Sequence, residues 1–110
     1  MATTFRNVLQ SGIGTTPTTV LTTTVGVKTT VVGLSITNTT PNAVLTSILL
    51  QDTVASTSAY YVSNVPVPPN QSLRVINGGE RLVLGPSTNI IVTSSASSSL
   101  DMVLSFVEVT

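Results

Sequence analysis

In "LDMVLSFVEV", residues 100–109, polarity changes residue by residue: Leu100, Met102, Leu104 and Phe106 fall on one side of an extended chain, and Asp101, Val103, Ser105 and Val107 on the other. Strand side chains alternate between faces with a period of two, whereas a helix repeats every 3.6 residues and would scatter these apolar groups around its axis. A chain made of such segments buries its apolar side only by laying sheet on sheet or by closing a sheet on itself.

The same test applied to "TTVVGLSITNTT" predicts Val32, Leu34 and Ile36 inward, and in "AVLTSILLQ" it predicts Val44, Ile48 and Leu50 inward. "NTTPN" connects the two runs. Pro41 lacks an N–H and fixes its φ, so it belongs in the turn of a hairpin-like pair. Further strands are expected over residues 4–10, 18–25, 58–65, 72–77, 80–84, 89–95 and 100–109, with turn signals between them. Asn77-Gly78, followed by Gly79, tolerates the positive φ of a primed turn, so "LRVINGGERLVL" is expected to form one antiparallel hairpin. No helix longer than a turn is expected, and no repeat of solenoid length is present.

Eight or nine short strands with half-apolar faces predict an all-β, single-domain antiparallel β-sandwich, jelly-roll or Ig-like. A period-two pattern does not encode strand order, so both remain open. Leu34, Ile36, Leu73, Val75, Leu82, Leu84, Met102, Leu104 and Phe106 form the expected core. Residues 1–14 are an N-terminal arm or edge strand, and residues 15–110 the sandwich. Ser94–Ser99 is low in complexity and reads as a flexible loop before the last strand.

"SNVPVPPNQSLRV", residues 63–75, carries Pro66, Pro68 and Pro69. Proline cannot donate to a ladder, so these residues end or edge the strand that holds Tyr60, Tyr61 and Val62, and preset a stiff crossing before Leu73 and Val75. A corner of the fold is favoured over a polyproline recognition motif, because such motifs sit mostly in disordered linkers.

At 110 residues the chain buries roughly two-thirds of its unfolded surface, enough for a thin core. It holds 20 threonines and 14 serines but only four basic and four acidic side chains. No basic stripe is available to release counterions from phosphates, so nucleic-acid binding is disfavoured, as is charge-based docking on a membrane. No apolar run approaches the length of a membrane span. A surface with zero net charge and many hydroxyls lacks the repulsion that keeps chains apart, which points to a protein docked on copies of itself or on a partner. The opening "MATTFRNVLQ" shows no basic and apolar leader, so synthesis in a cytoplasm is expected.

Histidine and cysteine are absent. The most frequent general base and metal ligand, and the best nucleophile, are thereby removed, and disulfides with them. The four carboxylates lie on different expected segments with no spacing suited to a dyad or a calcium loop. Lys28 with one of 14 serines makes a formal pair without specificity. We therefore expect no catalytic residue, cofactor or metal.

Asn38 in "NTT" and Asn70 in "NQS" match the glycosylation sequon, a match that a chain rich in Ser and Thr produces by chance. Tyr60 and Tyr61 fall on opposite faces of a regular strand, one in the core and one exposed to stack on a sugar or on a neighbouring subunit. Phe5, Val8, Leu9 and Ile13 give the first segment its apolar load. It is either the first edge strand or an arm that reaches a neighbouring subunit by strand addition.

The succession "IGTTPTTVLT", "VVGLSITNTT", "SNVPVPPNQSLRVINGGERLVL", "IIVTSSASSSLDMVLSFVEVT" resembles a group of small all-β virion proteins of tailed bacteriophages, especially phages of aquatic bacteria. The resemblance spans nearly the whole chain and is most specific at "VTSSASSSLDMVLSFVEVT". It departs at Gly85-Pro86-Ser87, where the group more often carries an Ala-Gly-Asp turn. What it implies is a structural component of the virion: a capsid decoration or cement protein, or else a neck, collar or tail component. The implied partners are the chain itself, as a homo-oligomer, and a major capsid or neck/tail protein. A carbohydrate-binding sandwich at a fibre tip and a small hydrolase are the alternatives from other classes. Glycan affinity lost on Tyr60→Ala or Tyr61→Ala would mark the first, and turnover lost with one carboxylate the second.

Overall fold

The computed structural model describes residues 2–76 and 81–110. Among these residues nine strands follow one another: β1 (Thr3–Ile13), β2 (Thr18–Thr22), β3 (Lys28–Asn38), β4 (Val44–Asp52), β5 (Thr57–Val67), β6 (Ser72–Ile76), β7 (Leu82–Leu84), β8 (Thr88–Ser94) and β9 (Leu100–Val109). No helix occurs among the described residues. One sheet has the order β1-β9-β3-β6, with β7 also on β3, and the other the order β2-β8-β4-β5; every pairing is antiparallel.

The pairings are nested: β1 with β9, β2 with β8, β3 with β6 and β7, β4 with β5. A long ribbon folded at β4–β5 and rolled so that successive strands change sheet gives this order, which is that of a jelly roll. The chain is thus an all-β sandwich, and strand order resolves the choice that the sequence left open. Among the described residues, sixteen buried apolar side chains fill the space between the sheets, including Leu34, Ile36, Ile48, Ile90, Met102, Leu104 and Phe106. Leu73, Val75 and Leu82, expected in the core, are half-buried and pack against it.

Both expected hairpins are corrected. β3 and β4, joined through Pro41, lie in different sheets, so "NTTPN" arches across the sandwich. β6 and β7 both run antiparallel to β3, with Ile76 opposite Leu34 and Leu82 opposite Val31. They are therefore two halves of one strand position pointing the same way, which no tight hairpin allows. The Asn77-Gly78 turn itself lies outside the described residues. Sequence-adjacent pairing within one sheet occurs between β4 and β5, across "TVAS".

Val32, expected inward, is 40% exposed, whereas Val31 is fully buried. The register of β3 on β9 shifts between Val31 and Gly33, and this extra residue moves Val32 to the outer face while keeping Leu34 and Ile36 inside.

One end of the roll is locked by polar groups. Asn38 is fully buried; its Nδ2 donates to the carbonyls of Asn42 (2.7 Å), Val67 (3.0 Å) and Pro68 (3.3 Å). Its Oδ1 accepts from the N–H (2.9 Å) and hydroxyl (2.7 Å) of Thr40. Both the "NTTPN" arch and the proline stretch are tied to this one amide, so the Asn38 sequon is unavailable in the folded chain. Pro66 sits on β5, an edge strand, where a missing N–H is tolerated. Gln71 N–H donates to Pro68 O (3.2 Å) around Pro69 and Asn70, whose φ is 54°, the pattern of a type II turn. The proline stretch is a corner.

Ser94–Ser99 is not a flexible loop. Ser94 and Ser99 are buried and their hydroxyls hydrogen-bond each other, while Ser99 Oγ donates to Ala96 O (2.7 Å). Ser94 N–H donates to Gly14 O (2.9 Å), Ser99 N–H to Ile13 O (3.0 Å) and Leu45 N–H to Ser95 Oγ (2.9 Å). A Cβ on Gly14 would stand 3.1 Å from the Ser98 nitrogen and 3.2 Å from the Ser97 Cα, so this close approach favours glycine. Hydroxyls here take the place of turn-forming Gly and Pro.

Thr29 is buried, and its hydroxyl has no hydrogen-bond partner among the described residues. Removing an unsatisfied buried hydroxyl recovers its desolvation cost, about 1 kcal/mol or somewhat more. Thr29→Val is expected to raise the unfolding free energy by that amount, read as a higher urea midpoint at unchanged slope; a lower midpoint would contradict this reading of Thr29.

Candidate interaction surface

β1 pairs with β9 from Thr3 opposite Val109 to Gln10 opposite Met102, and then through a register shift to Ile13 opposite Leu100. It is the border strand of its sheet. Ile13 is a core residue at 1% exposure, because the strand re-enters the sandwich after the shift at Gly12; it presents nothing to a neighbour, and as an interaction residue it is corrected. Val8, opposite the buried Leu104, is half-buried and packs on the core. Phe5 and Leu9 point outward and are 79% and 68% exposed.

Tyr60 and Tyr61 lie on β5, the border strand of the other sheet. Neither is core: both are exposed, Tyr60 at 63% and Tyr61 at 39%. The register of β4 on β5 shifts between Thr46 and Ile48 and again between Ile48 and Leu49. Tyr60 therefore stands opposite the outward Leu49, and Tyr61 falls at the irregularity with no residue directly opposite. The structure does not bring Phe5 and Leu9 together with the tyrosines, since β1 and β5 belong to different sheets.

Exposed apolar residues that sequence reasoning did not single out join Phe5 and Leu9 on one face. The registers place Phe5, Val107, Thr30 and Val83 side by side across the first sheet, and Leu9, Val103, Ser35 and Arg74 in a second row. Val32, Val83 and Val103 are exposed here. A groove of about 340 Å³ is lined by Phe5, Thr30, Val32, Arg81 and Val107. The alternation of β9 held the signal, because its outward positions read Asp, Val, Ser, Val where a solvated face carries polar residues throughout.

The charged groups hold the fold locally. Arg6 pairs with Glu108 across β1 and β9. Asp101 Oδ1 accepts from Gly12 N–H (3.1 Å), and Asp52 Oδ1 from the N–H groups of Val54 (3.0 Å) and Ala55 (3.1 Å). Among the described residues no three His, Cys, Asp or Glu side chains gather in a group that could hold a metal ion. What these residues offer is surface: main-chain edges and outward apolar side chains.

No family model and no curated protein sequence matches the chain. A solved chain from Bacillus endospore appendages, described as a novel family of disulfide-linked pili, is similar in fold: the TM-score is 0.58 over 98% of this chain and 88% of that one, at 11% identity.

Proposed function

We propose that the chain is a non-enzymatic structural subunit of a bacteriophage virion that binds an assembled shell across subunit junctions as a decoration or cement protein. The observation that carries this reading is the run of outward apolar residues on the β1-β9-β3 face, in a chain whose described carboxylates are all engaged in local hydrogen bonds or an ion pair. Exposed contiguous apolar surface marks an interaction site. Two further supports are the resemblance of the sequence to phage virion proteins and a fold shared with a subunit of a structural polymer. Cysteine is absent, so assembly here proceeds without the disulfides named for those pili.

A cement protein acts by mass action, binding the assembled shell and not its separated subunits, so that each bound copy raises the free energy of opening. The test is co-sedimentation with shells stripped of accessory proteins. Binding at a stoichiometry fixed by the shell lattice, equal in low and high salt, is the expected result, because few charges are available to be screened. Absence of binding at any salt concentration would refute the decoration role.

A further inference from the structure

Four strand positions border the two sheets. β2 has five residues, and the β6/β7 position consists of five and three residues separated by residues 77–81. The other two borders, β1 and β5, have 11 residues each. β1 packs over β2, and a cleft lined by Ala59 of β5 and Leu82 of β7 marks the opposite flank, so the two long borders occupy diagonally opposite corners.

The free edge of β1 is defined by its ladder. Ala2 and Thr110 exchange both main-chain hydrogen bonds (3.2 and 2.9 Å), and antiparallel pairs alternate between bonded and non-bonded. The N–H and C=O groups of Thr3, Phe5, Asn7 and Leu9 therefore face away from β9. Monomeric proteins blunt such edges with lysine, proline, bulges or a covering segment. Thr3–Gln10 has no lysine, proline or register shift, and its one charge, Arg6, is paired with Glu108. Residues 57–62 of β5 carry no charge and no proline, and their pairing with β4 is regular from Thr57 to Tyr60, with the irregularity at Tyr61.

Resting on the structural-subunit reading, we propose that β1 of one copy adds to residues 57–62 of β5 in the next, so that one sheet of each molecule runs on into the other sheet of its neighbour. A second copy fits because each contact uses one long border from either molecule and leaves the remaining one free. Such a heterologous contact closes into a ring or continues as a filament, according to its rotation. With Asn7 opposite Tyr60, the addition sets Phe5 and Leu9 at the diagonal positions on either side of Tyr60, within reach of an aromatic ring, and covers side chains exposed in the single chain. A symmetric β1–β1 contact would instead set two Arg6 residues close together and leave both tyrosines uncovered.

Two variants test this. Asn7→Pro removes an N–H that faces the free edge and costs no bond to β9; Tyr60→Lys puts a charge on the β5 border. Unfolding midpoints near wild type identify folded variants, and Leu9→Lys replaces Asn7→Pro if the latter does not fold. Mass photometry is expected to show wild-type multimers, monomers for each variant alone, and dimers when the two are mixed, since each retains the border the other has lost. Wild-type-like multimers of either variant, or a mixture that stays monomeric, would overturn the edge contact and leave the structural-subunit reading standing. A wild-type chain that is monomeric at every concentration would overturn the contact outright, whatever the shells show.

Discussion

Asn38→Asp is expected to destabilise the chain by about 3 to 5 kcal/mol, the range for stranding a buried charge without its partners. Asn38 is fully buried, and its amide donates to three carbonyls, one in the β3–β4 connection and two where β5 runs into the proline corner. A carboxylate of the same shape offers those oxygens no donor and repels them, while the bonds from Thr40 persist. With total stabilities of roughly 5 to 15 kcal/mol, the loss takes a large share of the whole. The pH dependence gives the mechanism away. Burial against carbonyls raises the folded-state pKa of the introduced carboxyl above its unfolded value, so the proton is held more tightly in the folded chain. The deficit relative to wild type should then shrink as pH falls through that raised pKa, when the protonated group again donates. Urea melts across pH measure both effects; a deficit under 1 kcal/mol that is independent of pH would show that the amide anchors nothing.

Phe106→Ala is expected to cost about 3 to 5 kcal/mol, from lost transfer energy and the cavity left behind. Phe106 is buried on β9 opposite Val31, which is itself fully buried. Val103 on the same strand points to the outer face, and Val103→Ala should change stability by less than about 0.5 kcal/mol. The two valine and phenylalanine positions, three residues apart, differ in parity, and parity is the whole argument for β9. Equal effects of the two substitutions on the urea midpoint would mean that the faces of β9 are misassigned.

β9 was legible because its partners on both sides follow a regular register over most of its length, leaving the alternation intact. β3 was legible at Leu34 and Ile36 but not at Val32, because the extra residue that turns Val32 outward is set by how β3 lies on β9, a strand some seventy residues away. Tyr61 was hidden by an irregularity in the pairing of β5 with its sequence neighbour β4, which the alternation does not mark. Asn77-Gly78 suggested a hairpin through local preference, yet nested pairing keeps β6 and β7 running the same way along β3; a local signal yields where the long-range ladder satisfies more backbone groups. "SSASSS" looked flexible because composition records no partners: its order comes from the carbonyls of Ile13 and Gly14 and from the Leu45 amide, which folding alone brings there. Of the six proposed contact residues, Phe5, Leu9, Tyr60 and Tyr61 are exposed, Val8 is half-buried by the alternation of β1, and Ile13 is core because of the register shift near Gly12.

Assembly without charge is the central claim, and mass photometry of the purified full chain over a range of concentrations, in low and in high salt, tests it most directly. The account predicts multimers of discrete size whose population grows with concentration and is no weaker in high salt, since apolar and main-chain contacts are not screened. A chain that stays monomeric throughout, or multimers that dissolve as salt is raised, would contradict it.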